Sequence, residues 1–133
     1  MSTKRTVVAV IDDNVGILGA LGRLLSAYGY DTELYASPQE FLDAVMMTEA
    51  ICLVVDVQLG GACGIEFARE LAKTGLSFPI VFMTANDTEC VQQRALDAGC
   101  VAFLRKPFAA EALLEHLIKL PRSAARNLSR RCA

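Results

Sequence analysis

The chain has 133 residues, 53% hydrophobic and 21% charged, which suffices for one packed domain and excludes a disordered segment or a fold needing disulfide or metal staples. The net charge of −2 hides an uneven spread: residues 1–120 carry fifteen acids and nine bases, while the last thirteen carry Arg122, Arg126, Arg130 and Arg131 and no acid. An acidic body argues against wrapping nucleic acid by bulk charge, no apolar run is long enough for a membrane span, and Val7 to Ile11 is too short a stretch for an export signal.

In chain order, TVVAVI (6–11) is a continuous β-branched run, as in a strand buried on both faces. In residues 15–29, Ile17, Leu21, Leu24, Leu25 and Tyr28 fall on one helical face, and Gly29 stops the helix. DTELYA (31–36) reads as a second, more polar strand. Ser37 and Pro38 then place an N-cap and a first-turn proline, with Glu40 at the capping-box spacing, in a helix running to about Met47. ICLVVD (51–56) is the third strand, followed by the Gly-rich QLGGACG (58–64) and a helix over 65–75. PIVFMT (79–84) is the fourth strand, with a helix from about Asp87 to Ala98. CVAFLRK (100–106) is the fifth, with Pro107 and a last helix over 109–120.

Five strand–helix units imply a parallel sheet covered by helices on both faces, and such folds bind ligands at the carboxyl ends of their strands. Those ends are polar: Asp12 and Asp13, Asp56, Thr84 and Lys106. A lone aspartate at a strand end is normally a turn or cap residue, and Thr84 alone reads equally as a helix cap. Five such groups at five rim positions make a site. Three acids together need a cation, and oxygen-only ligands at an open site suit Mg²⁺. The ion and Lys106 would balance the three acids and leave an incoming phosphoryl group neutralised, and a carboxylate can act as the nucleophile that accepts it.

These residues resemble the receiver domain of bacterial two-component response regulators over residues 6–120. The resemblance rests on the acidic pair in VIDDN (10–14), Asp56 closing its strand, Thr84 in FMTAN (82–86) and FLRKPF (103–108). Within that family the chain looks most like receivers that precede a LuxR-type (FixJ-like) helix-turn-helix domain. The resemblance implies a single flavodoxin-like, doubly wound, five-stranded parallel α/β sheet in the order 2-1-3-4-5 with five helices. It divides the chain into a receiver over 1–120 and a basic tail or linker over 121–133.

The resemblance also implies roles. Asp56 accepts phosphate from a sensor histidine kinase or phosphotransfer protein. Asp12, Asp13, Asp56 and the Gln58 backbone carbonyl serve Mg²⁺, Asp12 partly through water. Lys106 pairs with a phosphoryl oxygen, and a cis peptide joins it to Pro107. Thr84 and Phe103 form the switch, and Gln58 and Asn86 tune hydrolysis. The expected protein is a cytoplasmic phosphoacceptor that assists its own chemistry without being an enzyme. A phosphate-dependent homodimer fits it, and no direct nucleic-acid contact by residues 1–120 is expected.

One departure stands out. The family usually has proline where Gly60 stands, so LGGACG (59–64) is expected to be more flexible than usual. Gly16, Gly19 and Gly22 are costly inside a helix, at about 1 kcal/mol each. With Leu18 placed off the buried face, they suggest a smooth apolar contact patch for the phosphodonor beside the site.

Two other readings compete. One takes the chain as the front of a DNA-binding transcriptional regulator. An Asp-dependent Mg²⁺ phosphohydrolase of the haloacid dehalogenase type needs an acid two residues after the nucleophile, where Asn14 follows Asp12. The segment 60–64 lacks the GxGxxG and GK[ST] patterns of phosphate loops, and His116 reads as a surface residue. Cys52, Cys63, Cys90, Cys100 and Cys132 show no CxxC pair and read as reduced thiols.

Overall fold

A computed structural model describes residues 5–85 and 89–120. The elements run β1 (Thr6–Ile11), α1 (Val15–Ala27), β2 (Tyr30–Tyr35), α2 (Pro38–Ala44), β3 (Ala50–Asp56), β4 (Gln58–Leu59), β5 (Ala62–Cys63), α3 (Gly64–Lys73), β6 (Ile80–Thr84), α4 (Glu89–Asp97), β7 (Ala102–Arg105) and α5 (Ala110–Ile118). The main sheet is parallel with the order β2-β1-β3-β6-β7, so the expected 2-1-3-4-5 topology holds once the small β4–β5 hairpin is set aside. Among the described residues, no helix is long and apolar enough to cross a membrane.

The sheet separates two apolar layers, and alternation along its strands assigns each residue to one of them. Val8, Val10, Val54, Val81 and Met83 pack toward α1 and α5 with Leu18, Leu21, Leu25, Leu113 and Leu117. Ala9, Ile11, Leu53, Val55 and Phe82 pack toward α2, α3 and α4. There Phe41 is the hub, touching the rings of Tyr35, Phe67 and Phe78 edge-on at 5.4, 5.9 and 5.7 Å. Every residue of β3 is buried because it lies at the centre with neighbours on both faces. β2 is a sheet edge, and that explains its polar YDTELY sequence.

The helix starts follow their caps. Asn14 accepts the Ile17 N–H at 3.1 Å, and Ser37 accepts the Glu40 N–H at 3.2 Å. The Glu40 carboxylate reaches back to the Ala36 N–H at 3.0 Å, one residue before the usual capping-box target.

Two expectations are corrected. Leu18 is 7% exposed and sits in the core, while Tyr28, assigned to the buried face, is 54% exposed. Apolar residues cover more than half of α1's circumference, so periodicity does not locate the centre of its buried stripe; packing against the β2–β1 side of the sheet puts Leu18, Leu21 and Leu25 there. The Gly-rich loop expected over 58–64 also holds regular structure. Gln58 pairs with Cys63 and Leu59 with Ala62 in an antiparallel hairpin whose turn is Gly60–Gly61. Gly60 has φ +67°, the left-handed conformation that a tight hairpin places at its first turn residue and that glycine adopts without strain.

Candidate functional site at the carboxyl rim

The polar residues that the sequence placed at strand ends meet at one rim. Among the described residues, the buried polar or charged ones are Asp12, Asp56 and Thr84, and all three lie there. Asp12 follows the last residue of β1, and its N–H donates to the Tyr35 carbonyl of β2 at 3.1 Å. Its Oδ1 accepts the Asn14 N–H at 2.8 Å, which turns the chain into α1. Asp56 ends β3 and uses its Oδ1 in the same way for the Gln58 N–H at 3.0 Å. Asp13 is exposed on the outer side of the pair.

Lys106 closes the site. Its Nζ donates to Asp12 Oδ2 and to Asp56 Oδ2, both at 2.9 Å. The Lys106 N–H donates to the Thr84 carbonyl at 2.7 Å, tying the end of β7 to the end of β6. The Lys106–Pro107 peptide is cis, as expected. Thr84 is fully buried beside this junction, and Phe103 is half-buried against the aromatic layer.

The electrostatics explain what holds and what strains. Burial pushes the Asp56 carboxyl above the usual carboxylate range; hydrogen bonds from Lys106 and the Gln58 N–H pull against it, and the charge of Asp12 adds to the rise. For Lys106 burial opposes the charge, yet its bonds to Asp12 and Asp56 outweigh that and hold the ammonium above its usual range. One ammonium faces three acids, so the site keeps an excess of negative charge. Asp12, Asp13 and Asp56 each offer a carboxylate oxygen within 4.8 Å of the others. An all-oxygen donor set with uncompensated charge fits a hard divalent cation such as Mg²⁺.

Asn86 lies outside the described residues, as does the tail over 121–133. Gln58 is exposed at the start of the hairpin, above Asp56. Sequence reasoning missed Gly64. A Cβ there would lie 2.2 Å from the Asp56 carbonyl oxygen and 2.9 Å from Val55 Cγ1, so only glycine lets α3 begin this close to β3. The signal was available in a glycine directly before a helical pattern and eight residues after the rim aspartate. Also unforeseen was Arg94 of α4, which donates to Glu66 Oε2 at 3.2 Å and to Cys63 Sγ at 3.8 Å.

A rim of this composition on a 2-1-3-4-5 sheet defines a class, and the chain belongs to it: the response regulator receiver domain family matches residues 8–118. Among curated proteins, the chain is 36% identical over 129 residues to the response regulator MprA of Mycobacterium tuberculosis, covering 93% of this chain and 56% of that one. It is 31% identical over 117 residues to nodulation protein W of Bradyrhizobium diazoefficiens, covering 88% and 52%. The chain thus spans about half the length of the curated relatives it matches. Among solved structures, a response regulator receiver protein from Burkholderia phymatum is 37% identical with a TM-score of 0.76, covering 86% of this chain and 94% of that one. The chemotaxis protein CheY4 of Vibrio cholerae superposes with a TM-score of 0.81 at 24% identity, covering 89% and 100%, a likeness of fold.

Proposed function

We propose that Asp56 is the phosphoacceptor of this receiver, drawing the phosphoryl group from a phosphohistidine of a sensor kinase or phosphotransfer protein. The observation that carries this reading is the Lys106 ammonium, 2.9 Å from both Asp12 and Asp56 at the open end of the sheet. An oxygen of Asp56 attacks phosphorus, the P–N bond breaks, and its electron pair leaves with the imidazole, which takes up a proton. Asp12, Asp13, Asp56 and the Gln58 carbonyl would hold Mg²⁺, which would supply charge neutralisation of the phosphoryl oxygens and their orientation. The Gln58 N–H fixes one oxygen of Asp56. Lys106 already bonds the other and pairs with a phosphoryl oxygen as it arrives.

Phosphorylation adds about one negative charge to a buried pocket. Thr84 turns its hydroxyl to a phosphoryl oxygen, and Phe103 moves from its half-buried position into the space this leaves. Both sit at the β6–β7 side of the sheet, so the change reaches the face made by α4, β7 and α5, where a second phosphorylated copy docks. Gln58, exposed over Asp56, and Asn86 set the lifetime of the acyl phosphate by controlling water.

The phosphodonor docks beside the site, but not on Leu18. An apolar groove of about 510 Å³ runs along α1 to the β7–α5 junction, lined by Ile17, Ala20, Leu24, Ala85, Pro107 and Phe108, with Lys106 at its end. Its one charged lining residue is Lys106 of the site.

The test is incubation with Mg²⁺ and acetyl phosphate followed by intact mass. The expected result is one base-labile phosphoryl group, absent in Asp56→Asn. Phosphate retained in that variant overturns the assignment.

A further inference from the structure

Gly60 stands where proline is usual in this family, and the structure gives it a task. It is the first residue of the two-residue turn between β4 and β5, with φ +67°. Proline, fixed near −65°, does not make this turn. The hairpin tip folds back onto the rim. A Cβ built on Gly60 would lie 3.2 Å from Asp13 Oδ2 and 4.0 Å from Asp13 Cγ, and would meet nothing else within 4 Å. The neighbouring Gly61 has no atom within 4 Å of its own Cβ position and no left-handed backbone. Two adjacent glycines thus differ in backbone and in surroundings: only Gly60 is left-handed, and only Gly60 abuts an acid of the triad.

We infer that Gly60 is a positioning residue for the cation site: its missing side chain is what allows Asp13 to hold its carboxylate toward Asp12 and Asp56. The inference rests on the Mg²⁺ reading above. Asp13 is exposed, so its carboxylate yields by a few tenths of an ångström to a side chain at position 60, while the left-handed backbone there adds a strain that any residue but glycine carries. Mg²⁺ is less forgiving. It demands near-octahedral geometry at about 2.0–2.1 Å, so a shift of a few tenths of an ångström in one ligand is felt as lost affinity. The glycine therefore tunes the metal site through contact with a ligand and not through the ion itself.

The experiment is calorimetric titration of the full chain with Mg²⁺, alongside melting without the ion. Gly60→Ala is expected to weaken Mg²⁺ binding roughly tenfold, the scale seen when groups that hold metal ligands are altered. Gly61→Ala is expected to leave it within about twofold, because its Cβ meets nothing. In an Asp13→Asn background, Gly60→Ala is expected to add no further loss, since the ligand it disturbs is gone. Should Gly60→Ala not fold, Gly60→Asn tolerates the left-handed turn and still brings a Cβ to Asp13. Equal Mg²⁺ affinity in the Gly60 and Gly61 variants, or undiminished loss without Asp13, overturns the inference and leaves the Mg²⁺ reading intact. Absence of Mg²⁺ binding by the native chain overturns both.

Discussion

The interior of the sheet and its carboxyl rim are built from the same strands on opposite principles. Along β1, β3 and β6 the interior is wholly apolar, and each side chain packs into one of two layers. One residue further on, the same strands end in Asp12, Asp56 and Thr84, which are just as deeply buried and polar. The interior lowers the free energy of the fold by removing apolar area from water. The rim raises it, because carboxylates are held out of water close to one another, and Lys106 offsets only part of that. Side chains lost from the interior should therefore cost stability, while neutralising the rim acid should add stability and remove function.

The sharpest break of that contrast is in the aromatic layer. Phe41→Ala removes a fully buried ring that touches three others and is expected to cost about 3–5 kcal/mol, read from urea unfolding. A loss under about 1 kcal/mol would mean that the hub repacks and the interior is less rigid than its geometry implies.

Next is Lys106→Ala, which leaves Asp12 and Asp56 facing each other with no counter-charge. A loss of roughly 2–4 kcal/mol without divalent ions is expected, with Mg²⁺ restoring more stability to the variant than to the native chain.

Asp56→Asn should act in the opposite direction, raising stability at neutral pH in urea unfolding while abolishing phosphorylation, because it removes a buried carboxylate. The pH dependence carries the sign. The carboxyl is raised in the folded state above its ordinary 3.8, so its favourable contribution is complete below that pH and is lost as pH rises through the folded value. Without Mg²⁺, the native chain should lose stability relative to Asp56→Asn over that window and run parallel to it above. Curves that are parallel throughout would show that Asp56 carries no burial penalty.

The smallest effect lies in neither region. Lys73→Ala breaks an exposed pair with Glu70 on α3 and should shift stability by under about 0.5 kcal/mol.

Much of this was legible in the chain. A strand buried on both faces announces itself as an unbroken apolar run, so ICLVVD and IVFMT were readable as strands and their terminal Asp56 and Thr84 as rim residues. Boundaries slipped by one to three residues, as with α2, which stops at Ala44, short of Met47. The burial of Leu18 does not follow from the sequence, because period alone does not orient a helix that is apolar on most sides. At Gly60 the sequence suggests a loss of rigidity, although the glycine pair is also what a tight hairpin turn requires.

The sequence by itself determined the alternation of elements, the sheet order through its resemblance, and the identity of the five rim groups. These are properties of local pattern: apolar period, caps and strand ends. The tertiary structure alone decided that Lys106 bridges two carboxylates from strands 50 and 94 residues away, that Gly64 must be bare to let α3 approach β3, and that Gly60 abuts Asp13. Those facts depend on distances of a few ångströms between segments far apart in the chain. Such distances are fixed only when the sheet twists, the helices settle and the hairpin closes over the rim.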